Sequence, residues 1–263
     1  MTSSRGRTII LGRVVFGLVL LSLWELTSGR IIDAFWVSSP SRVFGYLWRI
    51  SADGSLFDHL WITLFETFSG FFIGAFLGIA GGFLLARTEV VAEVLDPYIV
   101  AFNGIPRIAL APLFIIWFGI GPMSKVILVI IVVSFLTFFN TYAGVKGADL
   151  EMKNMVRIMG ANERQVLFKV TLPAAIPWIT TGLKLSVPYA LVGAVVGEFI
   201  AASKGLGYLI NYNSGLFSTT GALGGILVLA VIVALCTEAI SRTEAHLLRW
   251  RPREEPGVGR ELY

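Results

Sequence analysis

Apolar residues run along the chain in six stretches, residues 9–26, 60–86, 97–118, 126–145, 177–202 and 218–237. Each approaches the roughly 20 residues a helix needs to cross a bilayer core. The pattern therefore predicts an all-α integral membrane protein with six transmembrane helices. Between the first two stretches, Pro40 and Ser41 open an amphipathic segment through Val43, Phe44, Leu47 and Trp48 that suits the membrane interface. The second stretch repeats small residues at Gly70, Gly74, Gly78, Gly82 and Ala86, a ridge along which a neighbouring backbone can approach closely. Residues 204–217, rich in glycine and asparagine, read as a loop.

Residues 149–173 break the apolar pattern without ending the helical one. Met152, Met155, Val156 and Met159 fall on one helix face, with Glu151, Lys153, Asn154 and Arg157 on the other. Gly160 suits the left-handed residue after a helix C-terminus, and Asn162 with Gln165 forms a capping-box signature. A second short helix, residues 163–170, is expected to stop at Leu172, because Pro173 disfavours helical geometry in the residue before it. Helix, glycine bend, helix and proline stop make a shape suited to being held by another protein.

Composition supports the membrane reading: 56% of residues are hydrophobic and 14% charged, far from a soluble domain's balance. The net charge of +4 reflects basic residues between spans and implies no nucleic-acid partner. Six spans place both termini on one side. That side carries 14 of the 21 Lys and Arg residues: Arg5, Arg7, Arg13, Arg87, five from Lys146 to Lys169, and five from Arg242 to Arg260. The other side carries 5, among them Lys125, and Arg107 and Lys184 lie within spans. The positive-inside rule puts the termini and the island in the cytoplasm. No small-residue cleavage site follows the first stretch, so it reads as a span rather than a signal peptide.

Candidate chemistry is sparse. Cys236 is the single cysteine, His59 and His246 lie near the edges of apolar runs, and neither a metal-ligand spacing nor a phosphate loop occurs. Arg107, ten residues into the third stretch, would lie about 15 Å deep, beside Pro106. Intramembrane charge faces a cavity or a partner. Asn103, Arg107, Asn140, Lys184 and Glu198 are therefore candidate groups of a translocation pathway for an anion, with structural ion pairs as the competing reading. A secondary transporter would show paired repeats, which the chain lacks, and an intramembrane protease would need a Ser and His pair deep in the membrane.

The island resembles the cytoplasmic loop of binding-protein-dependent ABC importer permeases: Gly160, nine residues, Val170, Thr171, then Leu172-Pro173. The family's EAA triplet falls here on Asn154, Met155 and Val156, with Glu151 the nearest acid. Residues 105–126 and 197–210 resemble the nitrate, sulfonate, taurine and bicarbonate branch. The resemblance implies a type I ABC importer permease, with residues 1–57 leading into a core of residues 58–241 and a basic tail of residues 242–263. It implies a homodimer in the bacterial inner membrane, supplied by an extracytoplasmic solute-binding protein. It also implies a separate ABC ATP-binding subunit that carries ATP and Mg, with no cofactor in this chain. The residues assigned to ATPase coupling are Glu151, Asn154, Met155, Met159, Gly160, Ala161, Leu172 and Pro173. The expected cargo is a small anion such as a sulfonate, taurine or nitrate.

Overall fold

A computed structural model describes residues 4–247; the basic segment 249–253 lies outside the described residues. The described chain is helical: α1 (Ser4–Thr27), α2 (Ala34–Val37), α3 (Pro40–Ala52), α4 (Ser55–Ala86), α5 (Glu89–Asn103), α6 (Ala111–Phe118) and α7 (Pro122–Lys146). They are followed by α8 (Leu150–Ile158), α9 (Glu163–Val166), α10 (Leu172–Ile200), α11 (Leu206–Gly215) and α12 (Thr219–Leu247). Five helical segments are long and apolar enough to cross a membrane. The third predicted span is instead a pair: α5 stops at Asn103, and the chain resumes through a 3-10 turn (Arg107–Leu110) into α6, bent by 78°. Pro106 accounts for the break, since it restricts Ile105 and donates no hydrogen bond. Pro112 lies in the first turn of α6, where proline is tolerated.

The chain divides into two compact units. The first comprises residues up to Ser69, Ile108–Leu128 and Leu191–Ile232. Here α1 leaves its apolar side chains exposed along its length, as a helix bathed in lipid would. Its C-terminal end is fastened: Ser41 donates to Glu25 from its backbone amide (2.9 Å) and its hydroxyl (2.7 Å), and Trp24 donates to the Val37 carbonyl (3.2 Å). In α3, the apolar positions grouped in the sequence divide: Val43 is buried while Phe44 and Trp48 are exposed. Ser55 bonds to Asp53 at the start of α4 hold that carboxyl below its usual range.

The segment read as a loop is largely the helix α11. Leu206, Leu209, Ile210 and Asn213 are buried, the i, i+3, i+4, i+7 set of one helix face. Its glycine and asparagine serve packing: a Cβ on Gly207 would come 2.7 Å from the Val195 carbonyl oxygen, and Asn213 donates to the Tyr46 hydroxyl (3.1 Å).

The second unit comprises Gly70–Arg107, Val129–Ala190 and the chain from Val233. Its core joins α4 to α7 along the glycine ridge. A Cβ on Gly74 would come 2.7 Å from the Ile130 carbonyl oxygen, and one on Gly82 would come 2.5 Å from that of Phe138. A Cβ on Gly78 would run into Thr137 and the Ser134 carbonyl. Backbone is the obstacle in each case, so a side chain there would force the helices apart at about 1–3 kcal/mol or more. Gly144 against Trp178 and Gly182 against Asn140 repeat the device between α7 and α10.

The expected proline stop does not form. A five-residue π turn (Leu167–Thr171) carries the chain from α9 into α10, and the Leu172 amide donates to the Leu167 carbonyl. Pro173 thus sits in the first turn of a helix rather than after its end, a position where its missing N–H costs little.

Candidate coupling region and polar sites in the membrane

Local chemistry builds the candidate coupling region. Asp149 caps α8, accepting hydrogen bonds from the amides of Glu151 (2.8 Å) and Met152 (3.3 Å). Gly160 ends α8 with φ +88°, and the two bonds of a Schellman turn close behind it: Gly160 N–H to Arg157 C=O (2.9 Å) and Ala161 N–H to Val156 C=O (3.1 Å). Asn162 and Gln165 then exchange side-chain-to-amide bonds of 2.9 Å each. The result is a capped bend that presents its apolar side outward. Met155 is 61% exposed, Ile158 87% and Met159 80%. Gly160 is exposed as well, and Ala161, Leu172 and Pro173 are half-buried.

Asn154, at the position of the family's acid, accepts from Arg157 Nη1 (3.1 Å). The carboxylate on that arginine belongs to Glu163, which takes Nε at 2.7 Å and Nη2 at 3.1 Å. Glu163 was not singled out in the sequence. It lies across the glycine bend from Arg157, and the bend itself, legible as Gly160, is the signal that would have found it. Glu151 is exposed and contributes its backbone amide to the Asp149 cap.

In the second unit, Arg107 and Asn103 come together at the break between α5 and α6. The Arg107 Nη2 donates to the Asn103 side-chain oxygen, the guanidinium lies 4.6 Å from the centre of the Phe135 ring, and its buried Nε has no hydrogen-bond partner. Phe135 and Phe102 also line an apolar groove of about 680 Å3 with Gly78, Gly81 and Phe138. Asn140 is not part of this pair; it donates to the Leu136 carbonyl (2.8 Å) and packs on Gly182. Lys184 forms an ion pair with Glu244, which also accepts from Thr180 (3.3 Å). Glu244 falls in the segment read as a tail, but α12 continues through it.

Glu198 belongs to the first unit and is 1% exposed. Its oxygens accept from the Thr63 hydroxyl (2.6 Å) and the Gly207 amide (2.5 Å). The amides before it are held too: Leu206 N–H donates to Thr63 Oγ1 (2.8 Å) and Gly205 N–H to His59 Nδ1 (3.0 Å). The N-terminus of α11 is thus seated on side chains of α4 and α10. Glu66 and Lys125 are buried in the same unit, within electrostatic reach of Glu198. Lys125 donates to the carbonyls of Ile120 and Gly121, and its stem lies against Gly197. Lys125, counted from the sequence with the charges on the side opposite the termini, is buried; packing of its aliphatic stem and two carbonyl acceptors explain its position.

Residues 70–248 match the family described as binding-protein-dependent transport system inner membrane component. The taurine transport system permease protein TauC of Escherichia coli is 30% identical over 94% of this chain and 91% of its own length. The riboflavin transport system permease protein RibX of Chloroflexus aurantiacus is 34% identical over 91% of this chain and 90% of its own. In structure the chain is similar to a subunit of the inward-facing MetNI methionine ABC transporter, with a TM-score of 0.66 and 19% identity over 75% of this chain and 98% of that one. These likenesses agree with the all-helical, multi-pass fold of the described residues. The chain belongs to the binding-protein-dependent inner membrane components and is a multi-pass permease subunit of an ABC importer, in which ATP hydrolysis is the work of a separate subunit.

Proposed function

We propose that this permease forms the translocation pathway for a small organic anion of the sulfonate class, and that the surface from α8 to the start of α10 receives the ATP-binding subunit. The observation that carries the coupling half is the exposed apolar set Met155, Ile158 and Met159 on a helix whose both ends are capped within the chain. An exposed methionine is an adaptable contact for a partner groove. Gly160, Ala161, Leu172 and Pro173 shape the bend, and Asn154 with Glu163 holds Arg157 across it, while Glu151 stands free at the first turn. The charge asymmetry of 14 to 5 supports a cytoplasmic position for this surface and both termini, with the binding protein on the opposite side and ATP and Mg in the partner. A homodimer rests on the family resemblance.

For the solute, Arg107 and Asn103 are the anion-binding groups and Asn140 a further polar group of the pathway. The unpartnered Arg107 Nε supports the assignment, because a guanidinium with a free donor is matched to sulfonate oxygens. TauC, a relative named for taurine, supports the sulfonate class. Lys184 and Glu198, engaged by Glu244 and by Thr63 with Gly207, frame the pathway helices rather than meet the solute. An Arg107→Gln permease, reconstituted with its ATPase and binding protein, is expected to import taurine about 10- to 100-fold more slowly, the loss of a charge-assisted hydrogen bond. Unchanged taurine uptake would remove the anion role of Arg107.

A further inference from the structure

A second cationic feature lies behind the coupling helices, away from Arg107. The ends of α4 and α7, the body of α8 and the turn into α10 line an open cavity of about 400 Å3. Arg87, Lys146, Lys153 and Arg157 line it, with Glu163 as the one carboxylate and Thr171 on its wall. Glu163 is committed to Arg157. Lys146 lies 5.6 Å from the centre of the Tyr142 ring. Arg87 meets only the same Glu163 from a distance, and Lys153 has no side-chain partner among the described residues. The lining therefore carries a net charge of +3.

The C-terminal dipoles of α4 and α7 favour cations at this place, but each amounts to about half a charge and fades within a turn. They leave the excess uncompensated. Position supplies the chemistry of the missing anion. Ala86 and Lys146 are the last residues of two membrane-spanning helices, so the cavity opens where hydrocarbon gives way to lipid phosphates. Basic pockets between spans on the cytoplasmic side suit anionic headgroups, and an arginine fork matches phosphate oxygens.

We propose that this cavity binds the phosphate headgroup of an anionic phospholipid, which braces α8 against α4 and α7 and sets the pose in which the coupling surface meets the ATPase. The inference rests on the cytoplasmic placement of that surface. Full-length permease in detergent, titrated with dioleoylphosphatidylglycerol and followed by native mass spectrometry, tests it without transport, so its failure and that of the coupling reading are separate results. The wild type is expected to retain one phosphatidylglycerol in preference to dioleoylphosphatidylcholine. The double variant Arg87→Gln/Lys153→Gln should bind it about 30-fold more weakly, the effect of two surface cations. Its circular dichroism should be unaltered. The control Arg42→Gln/Arg49→Gln, which removes two exposed charges from α3, should bind as the wild type does. Equal retention by the Arg87/Lys153 variant, or equal retention of phosphatidylcholine, overturns the proposal. So does displacement of the lipid by millimolar inorganic phosphate, which marks a free-anion site, or its expulsion when the ATPase subunit binds, which gives the cations to that protein.

Discussion

Aspartate at both Met155 and Met159 is expected to weaken binding of the ATPase subunit by about 100-fold or more while leaving the permease folded. Both side chains are exposed, Met155 on α8 and Met159 at its C-cap, so the fold loses little when they change. In the assembled importer the same side chains would be buried, and full burial of a methionine contributes about 1.5–3 kcal/mol. Two such losses, with two carboxylates placed against an apolar groove, exceed the 2.7 kcal/mol or so that corresponds to 100-fold. Titration of the ATPase subunit onto permease held in nanodiscs measures the effect directly. Wild-type affinity in the double variant, at an unchanged thermal midpoint, would move the docking surface off α8.

Loss of the Glu198 carboxylate acts on the fold instead. Glu198→Ala leaves the Thr63 hydroxyl and the Gly207 amide buried without their acceptor, at about 1–3 kcal/mol for each. The seat of α11 on α4 and α10 then fails, and Leu206, Leu209 and Ile210 lose their alignment with it. A total of about 2–6 kcal/mol corresponds to a fall of about 5–15 °C in thermal midpoint for a chain of this size. Tryptophan fluorescence of the detergent-solubilised protein during heating reads that fall. Glu198→Gln retains one acceptor oxygen and should lie between the two. A midpoint equal to wild type in Glu198→Ala would show that α11 is held by its apolar face alone.

The contrast between these sites shows what a sequence discloses. The α8 surface was legible because its determinants are local: a helix-period apolar face, a glycine that tolerates φ +88°, and a capping box between Asn162 and Gln165. Spacing alone carries those. The Glu198 seat joins Thr63 to a partner 135 residues away, and nothing within reading distance of either residue announces the other. Composition misled at α11, where glycine and asparagine suggested a loop although Leu206, Leu209 and Ile210 already held helical spacing. Pro173 and Pro106 show the same residue acting in opposite ways. Pro173 follows a π turn and is absorbed into α10, whereas Pro106 follows a finished helix and turns the chain by 78°. Lys184 reads as a pathway candidate because it lies within a span, with an ion pair as the competing reading; its partner Glu244 falls in the segment read as a tail.

The proposed role of the bend at Gly160 is to turn ATP hydrolysis into movement of the membrane helices. A Cβ at this position meets no neighbour within 4 Å, so the effect of valine is set by the left-handed backbone, at about 1–2 kcal/mol. In proteoliposomes carrying the Gly160→Val permease with its ATPase and binding protein, solute uptake per ATP hydrolysed is predicted to fall about tenfold. The subunits should remain assembled. Solute-stimulated ATP hydrolysis and uptake both equal to wild type would contradict the assignment of coupling to this bend.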